Sequence, residues 1–163
     1  MGSTFVTLRT GPPNENLGFW MRDDMLELWL RLLALHLPEP TCSGEHQATY
    51  GIRNQWLLAS KGYFLGCVPD GMEEACSTPE GRAVVRTAVD SLLAALKRRS
   101  TPLDPATLNL LGFDYAWGEP VDRWRLIDVG HAFIDLLEGR ITGTAASTKV
   151  FPGLKPYEGS PGN

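Results

Sequence analysis

The sequence predicts an all-α protein, a compact bundle or orthogonal array of four to five helices. Apolar residues recur with helical spacing in three long segments, 20–37, 80–99 and 120–141. No two alternating apolar segments are joined by a hairpin-turn sequence. Proline- and glycine-containing connections between the helical segments are short, which favours helices that pack directly against each other.

We expect a single domain, because 163 residues can bury enough surface to fold without a disulfide or a metal. The expected boundaries are a loosely ordered N-terminal segment at 1–19, a helical domain at 20–141 and a flexible or draped tail at 142–163. The tail is rich in Gly, Ser, Thr and Pro. In the N-terminal segment, Phe5, Val6 and Leu8 are candidates for one short strand.

The first helix is predicted over 20–37, where Asp23, Glu27 and Arg31 recur every four residues. We assign these three side chains to a solvent-exposed stripe, because apolar residues occupy the rest of the helix surface. The apolar arc is wide, so we expect a central helix that several neighbours contact. Pro38 ends it.

The later helices have recognisable starts. Ser77-Thr78-Pro79-Glu80 is typical of a helix N-terminus, because a hydroxyl caps free N–H groups and proline suits the first helical position. Asp104-Pro105 predicts a short helix in the same way. The predicted helices after the first are therefore 48–61, a single turn at 72–76, 80–99, a short helix from Asp104, and 120–141.

The last helix carries the one compact group of chemically versatile side chains. Asp128, His131 and Asp135 are spaced by three and four residues, so they share a helix face. Two carboxylates around an imidazole suit a divalent metal or a tuned general base. One hypothesis is therefore a metal-dependent hydrolase or oxidase with these three as catalytic or metal-binding residues. The other is a solvent-exposed face with ordinary ion pairs.

Charge and motifs argue against several function classes. The formal net charge of −4 is unfavourable for nucleic-acid binding. No apolar stretch is long enough for a membrane span, and three cysteines without a secretory signal indicate the reducing cytoplasm. The sequence contains neither a nucleophile elbow nor a phosphate-binding glycine loop, so we expect no cofactor and favour a non-enzymatic role.

Acidic and aromatic segments point instead to protein binding. Residues 62–81 contain four acids and no Lys or Arg, and an aromatic loop spans 113–117. We expect a small soluble protein that binds another, basic protein, such as an inhibitor or immunity-type protein that neutralises a toxin or enzyme; a homodimer is a variant of this class. Trp117 is either a partner-binding hot spot or a plug folded onto the core. The predicted partner-binding residues are Asp70, Glu73, Glu74, Phe113, Tyr115 and Trp117.

Overall fold

Two short strands precede six helices in the part of the chain that the structure describes. The computed structural model describes residues 2–9, 15–39, 43–64 and 66–154, with the backbone alone for 43–48. In chain order the elements are β1 (Ser3–Thr7), β2 (Gly18–Arg22), α1 (Asp23–His36), α2 (Ser43–Ala59), α3 (Met72–Ala75), α4 (Pro79–Arg98), α5 (Pro105–Asn109) and α6 (Arg123–Leu137).

The N-terminal segment forms a sheet, so the all-α prediction is wrong. β1 and β2 pair antiparallel, with Phe5 opposite Trp20 and Thr7 opposite Gly18. The strands are joined through residues 8–17 rather than by a tight turn, so the sequence carries no hairpin signal. Trp20 fits the helical apolar pattern as well as a strand, because a short apolar run satisfies either periodicity. The first helix therefore begins three residues later than predicted, at Asp23.

α1 is the central helix, as its wide apolar arc predicts. It packs against α2 on one side and α4 on another, and α4 packs in turn against α6. Trp29 of α1 lies 5.4 Å, centroid to centroid, from Phe133 of α6. A Cβ at Gly130 would lie 2.5 Å from Leu93 Cδ2, so any larger residue there would displace the Leu93 side chain between α4 and α6. The buried residues of α1 are Asp23, Met25, Leu26, Glu27, Leu28, Trp29, Leu30, Arg31, Leu32, Leu33 and Ala34.

Local capping explains where the later helices start. Thr78 accepts a hydrogen bond from the Gly81 amide with Pro79 in the first turn, and Asp104 accepts one from the Thr107 amide. Both predicted starts are confirmed. The last helix begins later than predicted, at Arg123, because the chain before it is held in a bridge between Leu103 and Val121.

The segment after α6 lies across the sheet and the last helix. The Gly18 amide donates to the Gly143 carbonyl at 2.9 Å, and the Trp20 indole N–H donates to the Ala145 carbonyl at 2.8 Å. Further along, the Gly153 amide donates to Asp128 of α6 at 2.8 Å. Residues 155–163 of the predicted tail lie outside the described residues. None of the helices described combines the length and hydropathy that a bilayer crossing requires.

Candidate functional site

The charged stripe of α1 is buried. Asp23, Glu27 and Arg31 are only 4%, 4% and 7% exposed, so the prediction of a solvent-exposed stripe is wrong. Buried charged groups require partners, because a charge removed from water without compensation is strongly destabilising. The partners come from distant parts of the chain and build a site over α1.

Asp23 joins three segments at the first turn of α1. Its carboxylate accepts hydrogen bonds from the Thr4 hydroxyl at 2.8 Å and from the Gly66 amide at 2.6 Å. The Thr4 hydroxyl oxygen in turn accepts from the Val68 amide at 2.8 Å. Asp23 thus fixes β1 and the chain around Gly66 against α1, which is a structural role.

Glu27 lies one turn further along α1 and pairs with Tyr115. The Tyr115 hydroxyl donates to Glu27 Oε2 at 3.0 Å. Burial raises the pKa of Glu27 above its usual value; the hydrogen bond from Tyr115 opposes this, and the charges of Asp23 and Asp24 add to it. Burial, followed by the charge of Glu27, raises the pKa of Tyr115, so the phenol stays a donor. A carboxyl group with a displaced pKa in a cleft is a candidate functional group.

Arg31 lies beneath the aromatic loop. Its guanidinium carbon is 5.3 Å from the centre of the Phe113 ring, and Nη2 donates to the Gly112 carbonyl at 3.3 Å. Burial lowers the pKa of Arg31, while the charge of Asp114 opposes this shift. Arg31 therefore anchors the start of the loop through its ring contact and a backbone bond.

The rings of Phe113, Tyr115 and Trp117 form one aromatic cluster. Their centroids lie 5.4 to 5.8 Å apart, and all three residues are half-buried. Asn109 holds the loop closed, since it accepts from the Trp117 amide at 2.7 Å. Gly62 also packs against the cluster: a Cβ there would lie 2.9 Å from a carbon of the Tyr115 ring. The cluster is thus folded onto α1, and Trp117 serves partly as a plug.

Two rings of the aromatic cluster also face an open cleft of about 550 Å³. This acidic cleft is lined by four carboxylates and two guanidinium groups, together with backbone and apolar atoms. The cleft has a formal charge of −2 when all six groups are ionised. The charged and aromatic lining residues are Arg22, Asp23, Asp24, Glu27, Tyr115, Trp117, Glu119 and Arg125.

The acidic cleft was not foreseen from the sequence because it combines distant segments. Its lining comes from Gly2, residues 22–27, Gly62 and residues 115–125. The available signal was the concentration of three acids at the start of α1 together with the aromatic loop. Neither feature indicates by itself that the two lie side by side.

The predicted acidic residues lie elsewhere, on and before α3. Asp70 accepts from the Met72 amide at 2.8 Å, and burial raises its pKa to about 7, so its carboxyl group is not a fully ionised surface charge at neutral pH. Burial also raises the pKa of Glu73, and Glu74 is exposed. Of the six predicted partner-binding residues, the two that line the acidic cleft are Tyr115 and Trp117.

The three-residue group of α6 is directed to separate partners. Asp128 accepts from the Gly153 amide at 2.8 Å, and Asp135 accepts from Arg140 Nε at 2.8 Å. His131, which lies between these two residues in the sequence, is half-buried. Over the ranges that the structure describes, no three His, Cys, Asp or Glu side chains are grouped so as to hold a metal ion. The α6 face therefore offers less for a site than the acidic cleft does.

The acidic cleft has the features expected of a binding site: a concave surface, aromatic walls and a buried carboxyl group in its lining. Its charge suits a cationic group rather than an anion. Comparison of this chain with protein-family models, with curated proteins and with solved structures found no match.

Proposed function

We propose that this protein binds another protein that carries basic side chains, and that the acidic cleft with its aromatic cluster is the binding surface. The observation that carries the proposal is the position of Glu27, a buried carboxylate that lines the same cleft as the rings of Tyr115 and Trp117. Aromatic residues are enriched at the centres of protein interfaces, where they contribute large contact areas at low entropic cost.

Charge supports a basic partner. The cleft has two more carboxylates than guanidinium groups, and the whole chain has a formal net charge of −4. Arg22 is neutralised by Asp24 at 2.8 Å, so it opposes an incoming cation only weakly. A surface of this sign accelerates association with a cationic partner and disfavours an anionic one.

The concrete form of the proposal is a cytoplasmic, non-enzymatic protein of the inhibitor or immunity type, which covers a basic surface of a toxin or enzyme. An acidic protein with a concave aromatic site is suited to cover a cationic active site. The described cysteines, Cys67 and Cys76, are free thiols, which fits a reducing compartment. The acidic residues around α3, including Glu73 and Glu74, remain a second candidate contact region.

The test compares the two acidic regions by charge reversal. Peptides of equal length that are basic, acidic or neutral are immobilised, and association of the wild type is followed by surface plasmon resonance at several salt concentrations. We expect selective binding of basic peptides that weakens with salt. Glu119→Lys at the cleft should slow association about fivefold or more, whereas Glu74→Lys on α3 should change it less.

Both substituted residues are exposed, so the two variants are matched in their low risk to folding. Equal binding of basic and acidic peptides by the wild type would refute the proposal. A larger effect of Glu74→Lys than of Glu119→Lys would transfer the binding surface from the acidic cleft to α3.

A further inference from the structure

We infer that the acidic cleft receives one arginine side chain of the partner, with its guanidinium group beside Glu27 and against the rings of Tyr115 and Trp117. This inference rests on the proposed protein-binding function and specifies the group that is recognised. The cleft volume of about 550 Å³ lies in the range of small-ligand sites, so a long side chain fits within it.

The aromatic cluster already binds one guanidinium group from inside the protein. Arg31 lies over Phe113 at 5.3 Å, and Phe113 is in ring contact with both Tyr115 and Trp117. Those two rings line the cleft, where they are open to a group from outside. Because Phe113 stacks on a guanidinium group, the other two rings of the cluster can stack on one in the same way.

The carboxylates of the cleft differ in how well they are satisfied. Asp23 is held by Thr4 and Gly66, and Asp24 is paired with Arg22. Glu27 accepts a hydrogen bond from the neutral hydroxyl of Tyr115. Among the described residues, no cationic side chain pairs with Glu27. A guanidinium group in the cleft would supply the missing opposite charge and favour ionised Glu27.

Arginine suits this position better than lysine for a physical reason. The guanidinium group is planar, is weakly hydrated and combines ring stacking with several N–H donors. An ammonium group is a compact, strongly hydrated point charge, and it loses more hydration when it enters a half-buried cleft. The cleft offers both a stacking surface and an acceptor at Glu27, and only arginine uses both fully.

The experiment uses three blocked tripeptides whose central residue is arginine, lysine or citrulline, the neutral isostere of arginine. Each is titrated into ¹⁵N-labelled full-length protein, and the amide signals of residues 115–119 are followed by NMR. We expect the arginine peptide to shift these signals and to bind about tenfold more tightly than the citrulline peptide, with the lysine peptide weaker than arginine.

Glu27→Gln keeps the shape of the side chain and an acceptor for Tyr115. We expect it to weaken binding of the arginine peptide about tenfold, to leave the citrulline peptide unaffected and to leave the melting temperature unchanged or higher. Glu74→Gln, the same change outside the cleft, should bind like the wild type. If Glu27→Gln lowers the melting temperature, Glu119→Gln at the exposed rim is tested instead. We expect it, too, to weaken binding of the arginine peptide.

Equal affinity for the arginine and citrulline peptides, or unaltered arginine binding by the cleft variant, would overturn the inference. The two proposals fail in distinguishable ways. Selective, salt-dependent binding of basic peptides that persists without any preference for arginine rejects the arginine site alone. Loss of all preference for basic over acidic peptides rejects the protein-binding proposal together with it.

Discussion

Helices α1 and α6 each carry three polar side chains at helical spacing, yet the two stripes have opposite environments. Asp23, Glu27 and Arg31 of α1 are buried, although their pattern is the usual one for a solvent-exposed face. The α6 stripe, which runs from Asp128 to Asp135 and looks chemically more versatile, is half-exposed. Spacing identifies which side chains share a face, but it does not say what covers that face.

The covering groups explain the difference. The partners of the α1 stripe, Thr4, Gly66 and Tyr115, are 19, 43 and 88 residues away from the carboxylates that they contact. The partners of the two α6 carboxylates, Gly153 and Arg140, are 25 and 5 residues away. The α1 stripe is covered by three separate parts of the chain and becomes part of the interior, whereas the two carboxylates of the α6 stripe have one backbone partner and one exposed ion pair and stay half-exposed.

The largest expected difference between the stripes is in stability. Asp23→Ala removes an acceptor of two hydrogen bonds and leaves the Thr4 hydroxyl and the Gly66 amide unsatisfied, so we expect a loss of about 3 kcal/mol of unfolding free energy. Asp135→Ala, which removes an exposed ion pair with Arg140, should cost about 0.5 kcal/mol or less. Urea denaturation of both variants measures the two values. Equal losses would mean that the α1 stripe is no more structural than the α6 stripe.

A smaller effect is expected at the hydroxyl that covers Glu27. Tyr115→Phe keeps the ring and removes the hydrogen bond, so unfolding free energy should fall by about 1 kcal/mol. Because that bond lowers the pKa of Glu27, the variant should titrate Glu27 at higher pH, which side-chain ¹³C NMR detects. Tyr50→Phe removes an exposed hydroxyl and serves as the control, with no change in stability expected. A pKa of Glu27 that does not move would show that the bond is absent in solution.

The smallest effect concerns the pH dependence of stability. The raised pKa of Glu27 means that the folded protein retains a proton that the unfolded chain has already released above pH 4.5. Stability from this group therefore falls as the pH rises from 4.5 through the folded pKa. Glu27→Gln should remove that fall and be more stable than wild type at neutral pH, by about 1 kcal/mol or less.

Burial also raises the pKa of Asp70, so Asp70 makes the unfolding free energy fall with rising pH in both the wild type and Glu27→Gln. The informative quantity is therefore the difference in unfolding free energy between the two proteins at each pH. If this difference in unfolding free energy stays constant from pH 4.5 to 8, the pKa of Glu27 is not raised in the folded protein, and the carboxyl group is not buried as described.

The parts of the fold that could be predicted from the sequence are those with local causes. The starts of α4 and α5 follow from Thr78-Pro79 and Asp104-Pro105, because capping involves residues within one turn. The β1–β2 pair could not be predicted in the same way, since its register depends on packing rather than on a tight turn. The acidic cleft was harder still to predict from the sequence, because Glu27 and Tyr115 come into contact only when the whole domain is folded.

The edge of β2 is completed by chain that is synthesised after α6. The indole of Trp20 and the amide of Gly18 find their acceptors at Ala145 and Gly143, the first of these 125 residues further along. During translation, a ribosome that has just made α6 has not yet supplied either acceptor. The β1–β2 pair therefore lacks these two hydrogen bonds until residues 143–145 have emerged, and a product truncated after Leu137 would never form them.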